Sequence, residues 1–162
     1  MDRRCCRSTR RAGSGVTGPL PDWAAGLGLQ RHPEGGWFAE TWRSERSVDL
    51  PGYPASRALG TAILFLLLPG EGSAWHRVRS AELWFHHRGS SLELTLGGDG
   101  EHPSDIVSHR LGPDVANHES PQLLVPPEFW QAARPLGDEP VLVSCVVVPG
   151  FDFADFTLLG PS

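Results

Sequence analysis

Short runs in which apolar residues alternate with polar ones, or follow one another without a break, recur along the chain. WFAETW (37–42) and SLELTLGGDG (91–100) alternate, which is typical of strands with one covered face. VLVSCVVVPG (141–150) is strongly β-branched and predicts a buried strand. TAILFLLLPG (61–70) is continuously apolar, and periodicity alone is compatible with either a buried strand or a buried helical turn.

Proline and glycine divide these runs into short elements. The segment 46–57 is rich in turn residues and predicts a loop, and two consecutive prolines interrupt the strand pattern of 121–136. Residues 21–29 predict one short helix, capped by Asp22 and ended by Gly28. About eight strands at a spacing of 8–15 residues, with one or two short helices, predict an all-β sandwich or barrel.

The chain length of 162 residues suits one domain with one core. We expect a β-barrel domain over residues 21–162, preceded by a disordered, arginine-rich tail over residues 1–20. Five arginines lie within the first eleven residues, but no apolar segment follows them as it would in a secretory signal. No apolar run reaches about 18 residues, so no membrane span is expected.

Composition excludes several classes of function. The chain has no lysine, since all 14 basic residues are arginines, and this excludes Schiff-base chemistry on a lysine. Residues 12–162 carry 9 arginines against 18 acidic residues, and this acidic balance disfavours binding to nucleic acid. Three cysteines imply no disulfide framework, so a cytoplasmic location is expected.

The segment SAWHRVRSAELWFHHRG (73–89) places ionisable groups in a strand near the middle of the chain. Its period of two puts Glu82, Trp84 and His86 on one face, and a bend after Val78 separates them from His76. In a closed barrel, His76, Glu82 and His86 would converge in the interior. Buried imidazoles and carboxylates are unfavourable unless they are paired or bind a ligand, so the stretch predicts either an internal hydrogen-bonded network or a site.

The spacing of Gly70, His76, Glu82 and Gly89 resembles the first sequence motif of the cupin superfamily, with Val78 at the position of the second histidine. Four segments, HPEGGWFAETWRS, WHRVRSAELWFHHRG, PQLLVPPEFWQAAR and VVVPGFDFADF, are similar to an epimerase-like cupin family long listed as a domain of unknown function. The resemblance implies a double-stranded β-helix (jelly roll) with a small-molecule pocket inside the barrel. It also implies a homodimer.

The resemblance implies a metal as one alternative. Cupin enzymes commonly hold iron, manganese, nickel or zinc with three histidines and a glutamate. Carried over to this chain, His76 and Glu82 match ligand positions, and Gln131 stands where a further histidine is expected. Such a metal-dependent cupin would be of the oxygenase type.

The comparison with epimerases implies a second alternative, a metal-independent isomerase that acts on a sugar-like or acidic carbonyl compound. His76 with Glu82 would form the base pair, and His86 or a water would replace a tyrosine acid, because the one tyrosine, Tyr53, lies in a loop. The third alternative is a cupin that binds its ligand without catalysis. The residues predicted to bind the ligand are Glu40, Arg43, Trp84, Trp130 and Gln131.

A few other side chains carry predictions of their own. Glu40 either faces the pocket or pairs with an arginine, and Arg57 is expected to face solvent. Cys145 lies inside an apolar strand and predicts an inert buried thiol. Asp152 and Asp155 are expected to cap the closing turn, while the phenylalanines beside them fill the core.

Overall fold

The computed structural model describes residues 18–160, which form two main β-sheets, a separate two-stranded sheet and three short 3₁₀ helices. The strands are β1 (Gln30–Arg31), β2 (Trp37–Arg43), β3 (Ser47–Val48), β4 (Arg57–Ala58), β5 (Thr61–Leu67), β6 (His76–Val78), β7 (Ala81–Arg88), β8 (Leu92–Leu96), β9 (Val107–Leu111), β10 (Gln122–Val125), β11 (Trp130–Pro135), β12 (Val141–Val148) and β13 (Phe156–Leu158). The helices span Asp22–Leu27, Val115–Asn117 and Phe153–Asp155.

The two sheets have the strand orders β1-β2-β5-β12-β7-β10 and β13-β6-β11-β8-β9, and are called the larger and the smaller sheet below. All pairings between neighbouring strands are antiparallel. Strands that are adjacent in sequence are mostly separated in the sheets, so the chain winds between the two layers. The prediction of an all-β, double-stranded β-helix barrel is confirmed.

The apolar run 61–70 forms strand β5, and not a helical turn. Its side chains alternate between two apolar environments. Phe65 and Leu67 face the core between the sheets, whereas Leu66 packs on the other side against Ala24 of the first 3₁₀ helix. The run is continuously apolar because both faces of this strand are covered.

The bend at residues 79–80 sends the histidine-rich segment into both sheets. Strand β6, with His76, belongs to the smaller sheet, and β7, with Glu82 and Trp84, belongs to the larger one. His76 and Glu82 therefore enter the barrel interior from different layers. Both residues are buried, with 2% and 6% of their surface exposed.

Some local predictions are corrected. The first helix begins at Asp22 itself, and Pro21 occupies the N-cap position, so no side chain caps it. Gly28 ends the helix as predicted, with a φ of 66° that a residue without Cβ adopts easily. The predicted loop 46–57 contains β3 and the first residue of β4, which pair with each other.

The predicted tail over residues 1–20 lies almost entirely outside the described residues, as do Cys5 and Cys6. Among residues 18–160, no helix has the length and apolar character needed to cross a membrane. The homodimer and the cytoplasmic location stay predictions.

Candidate functional site

A cavity of about 260 Å³ lies inside one end of the barrel. Its aromatic lining consists of Phe38, Phe65, Trp84, Phe151, Phe153 and Phe156. Its principal ionisable lining consists of His32, Glu34, Glu40, Arg43, His76 and Glu82. Apolar walls with a few converging polar groups are the usual construction of a small-molecule site.

His76 and Glu34 form a buried pair in this cavity. The Nδ1 atom of His76 lies 2.8 Å from the carbonyl oxygen of Ala74, so Nδ1 carries a hydrogen and donates it. The Nε2 atom lies 3.1 Å from Oε2 of Glu34, and the two side chains are 3% and 7% exposed. Nε2 and Oε2 are therefore placed to share one proton.

Burial determines where that proton rests. It lowers the pKa of His76 to about 4. Burial also raises the pKa of Glu34 well above its ordinary range, and the neighbouring Glu82 raises it further. Both shifts favour the uncharged form of the pair, in which the carboxylic acid of Glu34 donates to Nε2 of His76.

Glu82 belongs to a second buried network, behind the cavity wall. Gln131 donates from Nε2 to Oε2 of Glu82 over 2.6 Å, and Trp84 donates from Nε1 to Oε1 of Gln131 over 3.1 Å. Burial raises the pKa of Glu82, although hydrogen bonds such as that from Gln131 oppose the shift. The network fixes the carboxyl group against the cavity, where Trp84 also forms part of the wall.

An ion pair stands beside the more exposed end of the cavity. Arg43 donates to both carboxylate oxygens of Glu40, over 2.7 Å and 3.1 Å, and its Nη1 donates to the carbonyl oxygen of Phe151 over 3.2 Å. Glu40 therefore does both things that the sequence left open, since it lines the cavity and pairs with an arginine. Because both side chains are more than 40% exposed, the pair adds little stability.

Besides Gln131, which lies behind the cavity wall, two predicted site residues do not line the cavity. His86 is four residues beyond Glu82 on β7, about 13 Å further along the strand, and its Nε2 lies 3.1 Å from the carbonyl oxygen of Ser90. Trp130 precedes Gln131 on β11, and successive side chains point to opposite faces. Its indole donates to Gly100, and Arg77 stacks on its ring, so Trp130 does not form a wall of the cavity.

The sequence analysis assigned no role to His32 and Glu34. The segment HPEGG, which begins one of the motifs of the family resemblance, was the sequence signal that could have identified them. Gly35 has a φ of 109°, and a Cβ there would lie 2.5 Å from the carbonyl oxygen of Gly72. This close approach brings the turn against the opposite loop, with Glu34 beneath it in the cavity.

The phenylalanines near the C-terminus line the cavity instead of filling the core as predicted. Phe151, Phe153 and Phe156 pack edge-to-face against one another, with ring centroids 5.0–6.1 Å apart. Asp152 caps the short helix of residues 153–155 as expected, by accepting a hydrogen bond from Ala154. Aromatic side chains of this segment therefore supply one wall of the cavity.

Arg57 is buried, which corrects the expectation that it faces solvent. Its Nε lies 2.6 Å from Oδ2 of Asp155, and Nε of Arg79 lies 3.2 Å from Oδ1 of the same carboxylate. This triad fixes the segment that carries Phe153 and Phe156. Tyr53 packs nearby, with its hydroxyl 3.0 Å from that of Ser80, and does not line the cavity.

The residues predicted to bind a metal do not fit one. Both ends of the Gln131 amide are hydrogen-bonded, and both ring nitrogens of His76 have partners in the protein. In the part of the chain that the structure describes, no three histidine, cysteine, aspartate or glutamate side chains are grouped as metal ligands. The set His76, Glu82 and Gln131 is therefore a hydrogen-bonding set, and the geometry does not match the implied iron, manganese, nickel or zinc.

Cys145 is buried as predicted, but its thiol faces the cavity beside Glu82. Burial raises the pKa of this thiol well above its ordinary value, and the acidic neighbours Glu82 and Glu34 raise it further. The thiol therefore stays protonated at neutral pH, which agrees with the predicted lack of reactivity.

These shifts predict how stability depends on pH. The ordinary values are 4.5 for the two glutamates and 6.5 for His32 and His76, whose pKa values burial lowers to about 4. Between pH 4.5 and 6.5 the raised pKa values of the two glutamates make the free energy of unfolding fall as pH rises, whereas the lowered pKa values of the two histidines make it rise. The two effects on stability therefore oppose each other in this range.

Above pH 6.5 the imidazoles are neutral in both the folded and the unfolded state. Only the carboxyl groups, whose pKa values are raised in the folded state, still bind protons differently in the two states. The free energy of unfolding is therefore expected to fall as pH rises, by up to about 1.4 kcal/mol per pH unit for each carboxyl that is still protonated. Urea unfolding at pH 6.5 and 8.5 measures this. Glu34→Gln should weaken the dependence and the exposed Glu101→Gln should not; equal dependence in all three proteins would contradict the assignment.

Residues 21–159 match the family model Cupin_5, described as Cupin superfamily (DUF985). The chain is 31% identical over 154 residues to the uncharacterized protein YML079W of Saccharomyces cerevisiae, which covers 86% of this chain and 73% of the yeast protein. The crystal structure of protein SO0799 from Shewanella oneidensis is 38% identical with a TM-score of 0.75, over 86% of this chain and 83% of that one. A dTDP sugar isomerase from Desulfovibrio desulfuricans, 18% identical, has a TM-score of 0.54 over 77% of this chain and 82% of that one, a likeness of fold alone.

Proposed function

Because the chain belongs to the Cupin_5 family of the cupin superfamily, we propose that its barrel binds a small carbonyl compound and transfers a proton at the carbon next to the carbonyl. This is the step that isomerases and epimerases share. The observation that carries the proposal is the buried hydrogen bond between Glu34 and His76 inside an aromatic cavity. A carboxyl group and an imidazole that share a proton out of water form an acid–base unit.

The unit works through Glu34, which has no partner for Oε1 among the hydrogen bonds of residues 18–160. Oε1 accepts the proton from the substrate carbon while the proton on Oε2 passes to Nε2 of His76. Glu34 remains a carboxylic acid, His76 becomes an imidazolium, and the electron pair of the C–H bond forms the enolate. Reversal of these transfers restores the resting pair. Glu82, whose pKa burial also raises, is a second carboxyl group that lines the same cavity.

The charges around the cavity favour an uncharged, sugar-like substrate over an acidic one. Arg43 is the cation beside the cavity, and the carboxylate of Glu40 already neutralises it with two hydrogen bonds. Inside, burial favours the uncharged forms of Glu34 and His76. A volume of about 260 Å³ lies just below the usual range of drug-sized sites, which suits a compound of monosaccharide size or smaller.

Proton exchange in D₂O tests the proposal directly. The protein is incubated near neutral pH with uncharged aldoses and ketoses, and in parallel with 2-oxo acids, while ¹H NMR follows the hydrogen next to each carbonyl. We expect loss of that signal at least about 10²-fold faster than in buffer for one or more of the uncharged compounds. Saturable binding without any exchange would instead make this a ligand-binding cupin without catalysis.

Dialysis against a chelator separates this function from the metal-dependent alternative. Since the implied ligand set does not fit a metal, we expect the exchange rate to be unchanged after exhaustive dialysis against EDTA. Elemental analysis of the same sample before and after dialysis provides the control. Exchange that is lost on dialysis and restored by one divalent metal would contradict the proposed acid–base unit.

A further inference from the structure

His32 is a cavity residue that the proposed proton transfer does not use. It lines the same cavity as Glu34, and its side chain is 7% exposed. The ring packs edge-to-face on Phe38, with centroids 4.7 Å apart, and lies parallel to Phe153 at 6.1 Å. Its orientation is thus fixed by aromatic packing on several sides.

The position of the hydrogen on this ring follows from the backbone. Nδ1 of His32 lies 3.4 Å from both the amide nitrogen and Oε2 of Glu34. The amide N–H donates to Nδ1, and in the tautomer that accepts this bond the ring hydrogen lies on Nε2. His76 has the opposite tautomer, because its Nδ1 donates to Ala74. Among residues 18–160, Nε2 of His32 has no hydrogen-bond partner, although nearly all of the side chain is buried.

An N–H group that lines a cavity and has no partner in the protein is a donor to which a ligand acceptor can bind. Burial lowers the pKa of His32 to about 4, so the ring is a neutral donor near pH 7. A neutral imidazole can polarise a carbonyl without giving up its proton. His32 and Glu34 are two residues apart on one turn, which fixes the donor relative to the proton acceptor.

We propose that Nε2–H of His32 donates a hydrogen bond to the carbonyl oxygen of the substrate and stabilises the enolate oxygen that forms when Glu34 removes the adjacent proton. The inference rests on the proposed function and adds a further catalytic residue to it. In this step the proton moves from carbon to Glu34, the electron pair shifts toward the oxygen, and His32 keeps its proton. The substrate is therefore a compound whose carbonyl and adjacent C–H group both enter the cavity.

The tautomer can be tested without any ligand. Long-range ¹H–¹⁵N spectra of protein labelled in its histidine rings distinguish Nε2–H from Nδ1–H rings. We expect the Nε2–H pattern for His32 and the Nδ1–H pattern for His76, with each signal assigned by its loss in His32→Phe or His76→Asn. An Nδ1–H ring at His32 would overturn the inference, because the atom facing the ligand would then be an acceptor.

Phenol serves as the binding probe, since its oxygen on a planar carbon resembles an enolate. His32→Phe keeps the ring packing but removes the donor, so we expect phenol to bind more weakly and the exchange rate to fall by about 10²-fold. His32→Gln, which retains a donor, should recover part of both. His109→Phe on the exposed strand β9 is the matched control, expected to change neither.

The same variants separate failure of this inference from failure of the proposed function. If His32→Phe slows exchange while phenol binding stays unchanged, His32 only positions Glu34, and the inference is overturned. If the wild-type protein exchanges no substrate proton but its phenol affinity depends on His32, the proton transfer fails and the donor site stands. If neither exchange nor phenol binding responds to His32, the donor role is overturned whatever the wild-type protein does.

Discussion

Replacing Glu34 by glutamine is expected to slow substrate proton exchange by about 10²- to 10⁴-fold, the range typical of a lost general acid–base group. Glutamine keeps the size of the side chain and can still donate to Nε2 of His76, but it cannot accept a proton from carbon. The fold and the binding of phenol should therefore survive. The measurement is the exchange rate in D₂O for a substrate found in the screen, with thermal unfolding as the check on folding.

The exposed Glu101→Gln is the matched control for charge and size, and it should exchange at the wild-type rate. Glu82→Gln distinguishes the two carboxyl groups of the cavity. The sequence alone pairs His76 with Glu82, whereas the structure pairs it with Glu34. If Glu34→Gln exchanged at the wild-type rate and Glu82→Gln lost the exchange, the base would be His76 with Glu82, as the sequence predicts.

Replacing Asp155 by alanine is expected to cause the largest loss of stability, with the midpoint of thermal unfolding lowered by roughly 10 °C. The carboxylate is buried, and it accepts hydrogen bonds from Arg57 over 2.6 Å and from Arg79 over 3.2 Å. Its removal leaves the buried Arg57 guanidinium without its anionic partner. Asp138→Ala, at an exposed position, is the control and should be nearly neutral.

The same change should also affect the cavity. Asp155 fixes the segment that carries Phe153 and Phe156, so its loss should weaken phenol binding at temperatures where the variant is still folded. Thermal unfolding by circular dichroism and phenol titration in the same buffer measure the two effects. A midpoint within about 2 °C of the wild type would show that the triad contributes little to stability.

The strands and the fold class could be predicted from the sequence because they depend on local alternation. Period-two patterns in 37–42 and 91–100 place the side chains on opposite faces whatever the strand pairs with. The same rule brings Glu82 and Trp84 to the interior, and the spacing of His76, Glu82 and Gly89 resembles a known family. Burial of His76 and Glu82 in the barrel follows from this information alone.

Alternation does not give position along the barrel, and this explains the errors at His86 and Trp130. His86 shares the register of Glu82 and Trp84, but four residues of extended chain carry it far beyond the cavity. Trp130 is next to Gln131, and the direction of both side chains depends on which face of β11 the barrel encloses. Strand length and curvature, which the alternating pattern does not contain, decide both cases.

The sequence by itself therefore determined the β-barrel, the residues that its strands turn inward, and the acidic, lysine-free chemistry available to them. Only the tertiary structure decided which side chains pair with one another. It brings Glu34 from a glycine turn to His76, and Asp155 to Arg57 across 98 residues of chain. These contacts arise from the pairing of distant strands, and burial in the closed barrel then sets the pKa values of the cavity. A local sequence pattern contains neither the side-chain pairs nor the pKa values, because both depend on which surfaces the folded chain encloses.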